Sequence, residues 1–202
     1  MTSRSYPRSS VRMAIAGLLA LALSACGINS VPTAEEAAKA RWADVQAQYQ
    51  RRADLVPNLV ATVKGAAQAE QETLSAVVEA RARATSVQVN TNDLGDPAKM
   101  AQFAAAQGAL SQSLGRLLAT VEAYPDIKFN QNFRDLQVQL EGTENRISTA
   151  IIKYNEAVEA YNVRVRTFPD MIGAMIRGAK PMAPYQATTP GADQAPKVDF
   201  GA

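Results

Sequence analysis

Apolar and small residues recur at steps of three and four along most of this chain, the spacing of one face of an α-helix. No stretch of useful length alternates as a half-buried strand would. The longest stripe runs Phe129, Phe133, Leu136, Leu140, Thr143, Ile147, Ala150, Tyr154, Val158, Tyr161, Val165 and Phe168. It predicts a helix over 126–168, about 64 Å long at 1.5 Å per residue, closed by Pro169, which disfavours helical geometry at the residue before it. A second stripe, Met100, Phe103, Gln107, Leu110, Leu114, Leu117 and Val121, opens at Asp96-Pro97, a capping acceptor followed by proline in the first turn. It closes at Tyr124-Pro125, so the turn into the long helix is short and the two helices lie antiparallel. Upstream, Trp42, Val45, Tyr49, Ala53 and Val56 form a third stripe, and Leu59, Val63, Ala66, Leu74 and Val77 a fourth. Pro57 stands between them, lacks a backbone donor and crowds the carbonyl four residues earlier, which predicts a kink or a break into two helices. Residues 86–95 read as a loop, and Asp170 is placed to cap a short last helix over 171–177. The pattern as a whole predicts an all-α fold: an elongated antiparallel bundle of about four helices, the first arm kinked or broken at Pro57.

The first 26 residues have a different organisation. Arg4, Arg8 and Arg12 precede a short apolar run over 13–23, and no acidic residue occurs among them. This is the layout of a secretory signal, and the run is shorter than the roughly 20 apolar residues a membrane-spanning helix needs. Leu23-Ser24-Ala25-Cys26 then resembles a bacterial lipobox, in which the thiol of the only cysteine accepts a diacylglycerol and becomes the first residue of the mature chain. The division that follows is a signal peptide over 1–25, a tether over 26–33, a helical bundle over 34–178 and a mobile tail over 179–202. The tail is inferred from Pro181, Pro184, Pro190, Gly191 and Pro196. Gly27 after the cysteine is compatible with outer-membrane sorting in a Gram-negative cell. The expected location is thus the outer side of the cytoplasmic membrane, periplasmic in such a cell.

Within the bundle, several motifs are ordered and spaced in a particular way. The first arm holds Arg51-Arg52-Ala53-Asp54-Leu55-Val56-Pro57-Asn58-Leu59-Val60. The hairpin holds Tyr124-Pro125-Asp126-Ile127-Lys128-Phe129-Asn130, and the long helix holds Thr143-Glu144-Asn145-Arg146-Ile147, Tyr154-Asn155, Tyr161-Asn162 and Phe168-Pro169. Over residues 34–187 this set resembles the LemA family. The resemblance implies a helical bundle tied to a bacterial membrane at its N-terminus, with no established reaction. The chain departs from the family twice: a lipobox stands where members commonly carry a transmembrane helix, and Ile151-Ile152 stands where many carry Ala-Arg.

Charge and composition narrow the chemistry. The whole chain is +2; the first 25 residues carry three arginines and no acid, so the mature chain is −1, and a basic face for nucleic acid has no support. There is no histidine, which removes the usual general base near neutral pH and the Glu-x-x-His ligands of bundle metal sites. No catalytic residue, metal site or cofactor is expected. Glu70, Glu79, Glu122, Glu141 and Glu144 fall on helices, where carboxylates ordinarily form solvated faces or local ion pairs. Arg146 is positioned to pair with Asp54 or Glu144, and Asn145 to bridge helices near Pro57; a polar layer that fixes helix register is the favoured role. Pro57-Asn58 reads as a kink whose freed carbonyl a neighbouring side chain satisfies, or as a docking corner. Tyr154-Asn155 and Tyr161-Asn162 lie one heptad apart on one face, with core tyrosines reaching a hydrogen-bond partner as the ordinary outcome. The candidate structural or partner surface therefore comprises Arg51, Arg52, Asp54, Pro57, Asn58, Tyr124, Pro125, Asn130, Glu144, Asn145, Arg146 and the two Tyr-Asn pairs. The expected role is a non-enzymatic, lipid-anchored envelope module with protein partners. The alternatives are a small-ligand binder or enzyme around Glu144 and Arg146, and membrane remodelling through the 171–177 helix.

Overall fold

The computed structural model describes residues 8–66 and 71–186, with side-chain burial described at Met13 and over 29–64 and 71–186. Every regular element among these residues is helical: α1 (Arg8–Ala66), α2 (Gln71–Ser86), a single 3-10 turn (Thr91–Asp93), α3 (Pro97–Val121), α4 (Pro125–Lys128), α5 (Gln131–Arg166) and α6 (Asp170–Arg177).

The start signals act as their chemistry dictates. Asp96 accepts hydrogen bonds from the backbone N–H groups of Ala98 and Lys99 ahead of Pro97, and so opens α3. All seven positions of the second stripe are buried. The long helix is shorter than its stripe suggested. Tyr124-Pro125 opens the four-residue α4 rather than α5. The Asn130 side chain then accepts from the N–H groups of Asn132 and Phe133, starting α5 afresh. Phe129 falls between these two helices and is exposed, as is Phe168 at the other end; the stripe between them is buried from Phe133 to Tyr161, with Leu136 partly covered. Asp170 lies in the first turn of α6 and does not cap it. The helix ends at Gly178, whose φ of 64° is left-handed and suits glycine.

At Pro57 the expected break does not occur, whereas a freed carbonyl satisfied by a neighbouring side chain does, and the expected tether at the start of α1 is corrected. Helix α1 is 59 residues long and passes through both Pro32 and Pro57 without interruption. The bond that Pro57 cannot make would end on the Ala53 carbonyl. The guanidinium of Arg81 in α2 donates to that oxygen at 2.7 Å instead, so the missing donor is replaced from outside and the helix need not break. The segment 26–33 is helical rather than a loose tether, and Val31 is fully buried in the core. The side chain of Cys26 lies outside the described residues.

Contacts set the topology. Along α1, Trp42 and then Arg52 meet progressively earlier parts of α5, Tyr154 and Glu144. Helices α1 and α5 are thus antiparallel over their shared length, α2 runs back along α1, and α3 runs forward again. The four long helices form an up-down-up-down bundle. Its interior divides into two clusters: a proximal one around Trp42, Tyr49, Phe103, Tyr154 and Tyr161, and a distal one around Val56, Leu59, Val77, Leu110, Leu117, Ile127 and Leu140.

Candidate functional site

The boundary between the two clusters is polar. Arg52, on the buried face of α1, is 1% exposed. One guanidinium nitrogen donates to the Ser111 hydroxyl at 2.6 Å and to Glu144 Oε1 at 3.1 Å. The other donates to the Gln107 side-chain oxygen at 2.7 Å and to the Gln107 carbonyl at 3.1 Å. Gln107 in turn donates to the Ala84 carbonyl at the end of α2, at 3.1 Å. One arginine thereby ties all four long helices at one level. Its carbon lies 4.9 Å from the centre of the Tyr49 ring, a cation–π distance, and its Nε has no hydrogen-bond partner among the described residues. The Glu144 side chain is 43% exposed, so solvent screens the ion pair and the hydrogen-bond geometry carries most of its worth.

This layer exists where the sequence places it but with different members. Arg52, not Arg146, is the partner of Glu144. Arg146 is exposed and donates to the Thr143 hydroxyl at 3.2 Å, one turn earlier in its own helix. Asp54 is exposed and accepts from Gln50, and Asn145 is exposed rather than bridging helices near Pro57. Arg51, Pro57 and Asn58 lie on the outer face of α1. Tyr124 packs half-buried against the distal cluster, Pro125 opens α4, and Asn130 serves as a cap. Gln107, a polar residue inside an apolar stripe, was the available signal for the layer.

The Tyr-Asn pairs do something the sequence does not show. Residues 180–185 are not a mobile tail; they lie along α5 as an extended segment, and the pairs hold it by its backbone. Tyr161 donates to the Lys180 carbonyl at 2.9 Å, and Asn162 both donates to the Met182 carbonyl (2.9 Å) and accepts from its N–H (2.8 Å). One heptad earlier in α5, Tyr154 donates to the Ala183 carbonyl at 3.0 Å, and Asn155 makes the same two-way contact with Tyr185, at 3.0 and 2.8 Å. Seven residues of helix are matched to three of extended chain. Met182, Ala183 and Tyr185 are buried by this docking, and the Tyr185 hydroxyl meets that of Tyr49 at 2.6 Å. Trp42 and Gln46 of α1 treat residues 87–90 similarly, both donating to the Val89 carbonyl, at 2.8 and 3.1 Å. Residues 187–202 of the expected tail lie outside the described residues.

The chemistry available is that of binding and registration. Burial pushes the hydroxyls of Tyr49, Tyr154, Tyr161 and Tyr185 above the ordinary tyrosine range, so none is poised to lose a proton near neutral pH. Glu79 pairs loosely with Arg83, Glu141 accepts from Gln137, Glu122 is exposed at the end of α3, and Glu70 lies outside the described residues. A cleft of about 360 Å³ opens beside the polar layer, lined among others by Gln46, Tyr49, Ala53, Val87, Phe103 and Gln107. Among the described residues no helix is long and apolar enough to cross a membrane.

Residues 41–200 match the model of the LemA family. Two magnetosome proteins from Paramagnetospirillum magneticum (strain ATCC 700264 / AMB-1), MamQ 1 and MamQ 2, are each 34% identical over 100 residues, covering 50% of this chain and 36% of theirs. The magnetosome protein MamQ of Magnetospirillum gryphiswaldense (strain DSM 6361 / JCM 21280 / NBRC 15271 / MSR-1) is 27% identical over 170 residues, covering 75% of this chain and 62% of its own. The chain thus spans less than two thirds of the length of each of these relatives.

Proposed function

The chain belongs to the LemA family, and from that premise we propose that it is a lipid-anchored protein of the bacterial envelope that works by presenting a rigid helical surface to protein partners rather than by catalysis. The observation that carries this reading is the junction at Cys26. A lipobox cysteine sits on the same helix, α1, that forms the spine of the bundle, with Val31 already in the core. Acylation there would fix the bundle directly to the lipid surface without a flexible spacer. One acyl chain holds a protein only marginally, and two or more hold it stably, so a diacylglycerol on the thiol with a further palmitoyl-type chain on the freed amine suits permanent attachment. The anchor points to the outer side of the cytoplasmic membrane, and Gly27 suits transfer to the outer membrane where one exists.

The non-catalytic part of the reading rests on what the side chains do. Most of the buried polar groups among the described residues hold helices and extended segments together, and the chain has no histidine. The relatives are named magnetosome proteins; the reading for this chain uses the shared bundle and not that setting. Metabolic labelling with a palmitate analogue, followed by mass spectrometry of the N-terminal peptide, should find the acyl groups on Cys26, and Cys26→Ser should abolish incorporation. An unmodified Cys26 in the mature protein would sink the anchor. Crosslinking in intact cells should recover the same envelope proteins repeatedly, and a chain that crosslinks to nothing would sink the partner role.

A further inference from the structure

Helix α6 leaves its apolar side chains uncovered. Gly173 and Ala174 are buried against the bundle, whereas Met175 and Ile176 are 74% and 77% exposed, with Met171 and Ile172 also exposed beside them. Phe168, just ahead of the helix, is 70% exposed. A contiguous apolar patch of this kind on a folded protein marks an interaction site, and two observations indicate its occupant.

The first is position. Ala174 shares a core cluster with Val31, Ala38 and Trp42, and Arg177 and Lys180 line a cleft with Glu35 and Lys39 of α1. The apolar face therefore lies at the end of the bundle from which α1 leads back to Cys26 and the apolar run over 13–23. Val31 follows Cys26 by five residues, about 7.5 Å of helix. The second is charge. Between residues 164 and 180 stand Arg164, Arg166, Arg177 and Lys180 with Asp170 as the only acid; Arg164 pairs with that acid at 3.5 Å, and all four basic groups are exposed, leaving a net charge of about +3 on this stretch. Apolar side chains on one face of a short helix, rimmed by arginine and lysine, are the composition of a helix that lies in a lipid interface.

We propose that α6, together with Phe168, rests in the headgroup layer of an anionic bilayer as a second membrane contact beside the N-terminal one. The inference rests on the membrane-anchored reading above, because an anchor at or before Cys26 is what holds α6 at the surface. Eight residues bind a bilayer weakly alone, but beside an anchor the binding becomes intramolecular and is favoured by effective concentration. Two contacts at one end would also fix the tilt of the bundle on the membrane.

The test uses the full chain with Met175→Cys, keeping Cys26 where it is acylated and no longer reacts with the label, and with Cys26→Ser only where it is not, so that a nitroxide is placed at position 175 alone and whatever anchor the chain has is retained. In vesicles of phosphatidylethanolamine and phosphatidylglycerol, the label should be more accessible to lipid-soluble oxygen than to an aqueous nickel complex. The same label at Glu122, at the far end of α3, should show the opposite order. Adding Ile172→Glu and Ile176→Glu should shift the equilibrium of the 175 label toward water by about tenfold or more, the factor that losing one buried isoleucine supplies. Replacing phosphatidylglycerol with phosphatidylcholine should move the label in the same direction. A label at 175 as water-accessible as that at Glu122 would overturn the contact, and one equally buried in neutral vesicles would overturn its anionic character. Acylation of Cys26 is read separately on the unmutated chain, so a buried 175 label with an unmodified Cys26 would remove the lipid anchor and leave α6 standing. An acylated Cys26 with a water-exposed label would do the reverse.

Discussion

The two halves of this bundle are built from different materials. The proximal half packs aromatic rings together, Trp42 and Tyr49 each edge to face against Phe103 at 5.3 Å, and Trp42 tilted against Tyr154 at 5.1 Å. It also holds two non-helical segments by their backbones. The distal half is almost wholly aliphatic, with Phe133 its only buried aromatic among the described residues. Aliphatic layers specify volume and little else, and tolerate exchange among residues of similar size. Rings whose hydroxyl and indole groups must reach named carbonyls specify position as well. The contrast suggests that the proximal half, at the proposed membrane end, is where geometry is held closely. The Arg52 layer is the joint between the two.

The sharpest test of that contrast is Trp42→Ala. It should cost about 3–5 kcal/mol, from a large cavity and the loss of one of the two donors to the Val89 carbonyl, and denaturant unfolding followed by hydrogen exchange should show protection lost first around residues 31–49 and 150–165. Equal loss in the distal half would erase the distinction. At the joint, Arg52→Met should cost about 1–3 kcal/mol because Gln107 loses its donor. The double variant with Gln107→Leu should recover part of that cost, since an apolar layer can replace a buried polar one. A double variant less stable than the single would mean that the layer contributes more than register. Asn162→Ala should cost about 1–2 kcal/mol, by leaving both backbone groups of Met182 without their partner. Proteolysis should then clip between 179 and 186, and unchanged resistance there would show that the side chains of the segment, not its backbone, hold it down.

Alkali should also separate the halves. The four tyrosines whose hydroxyls burial pushes upward all belong to the proximal half or its docked segment. Their folded pKa values exceed the unfolded value of about 10. The stability they contribute is therefore complete below that pH and is lost as pH rises through it toward the folded values. Melting followed across this range should show the proximal half loosening first, with tyrosinate absorbance appearing late and together; early, independent ionisation would contradict the burial. The smallest expected effect is Leu117→Met in the distal half, which should cost less than about 1.5 kcal/mol, and a loss matching that of Trp42→Ala would show the distal core to be just as exacting.

What could be read in the sequence follows from which interactions leave a periodic trace. The stripe from Met100 to Val121 and the capping Asp96-Pro97 appear in the structure as expected, because both are written in side chains at helical spacing. The Arg52 layer was half legible: Gln107 is a polar residue within an apolar stripe, and Arg52, three residues after Tyr49 and four before Val56, shares their helix face while Arg51 does not, but no spacing in one helix names the partners on the others. The docked segment was not legible. Its prolines and alanines have no period, and its partners bind main-chain atoms that every residue possesses. Pro57 pointed to a kink or a break, and the break does not occur, since a single missing donor can be replaced, as Arg81 does at Ala53.

The pairing of Tyr154-Asn155 and Tyr161-Asn162 with the docked segment works as a vernier between two polymer pitches. Seven helical residues advance about 10.5 Å, and three residues of an extended, proline-bearing chain advance about 9.3 Å. Over one interval the two scales differ by roughly 1.2 Å, a discrepancy that side-chain torsions absorb. Over two intervals the slip would reach about 2.4 Å, nearly the length of a hydrogen bond. Two marks are therefore about as many as a straight helix can read from such a ruler, and α5 carries two.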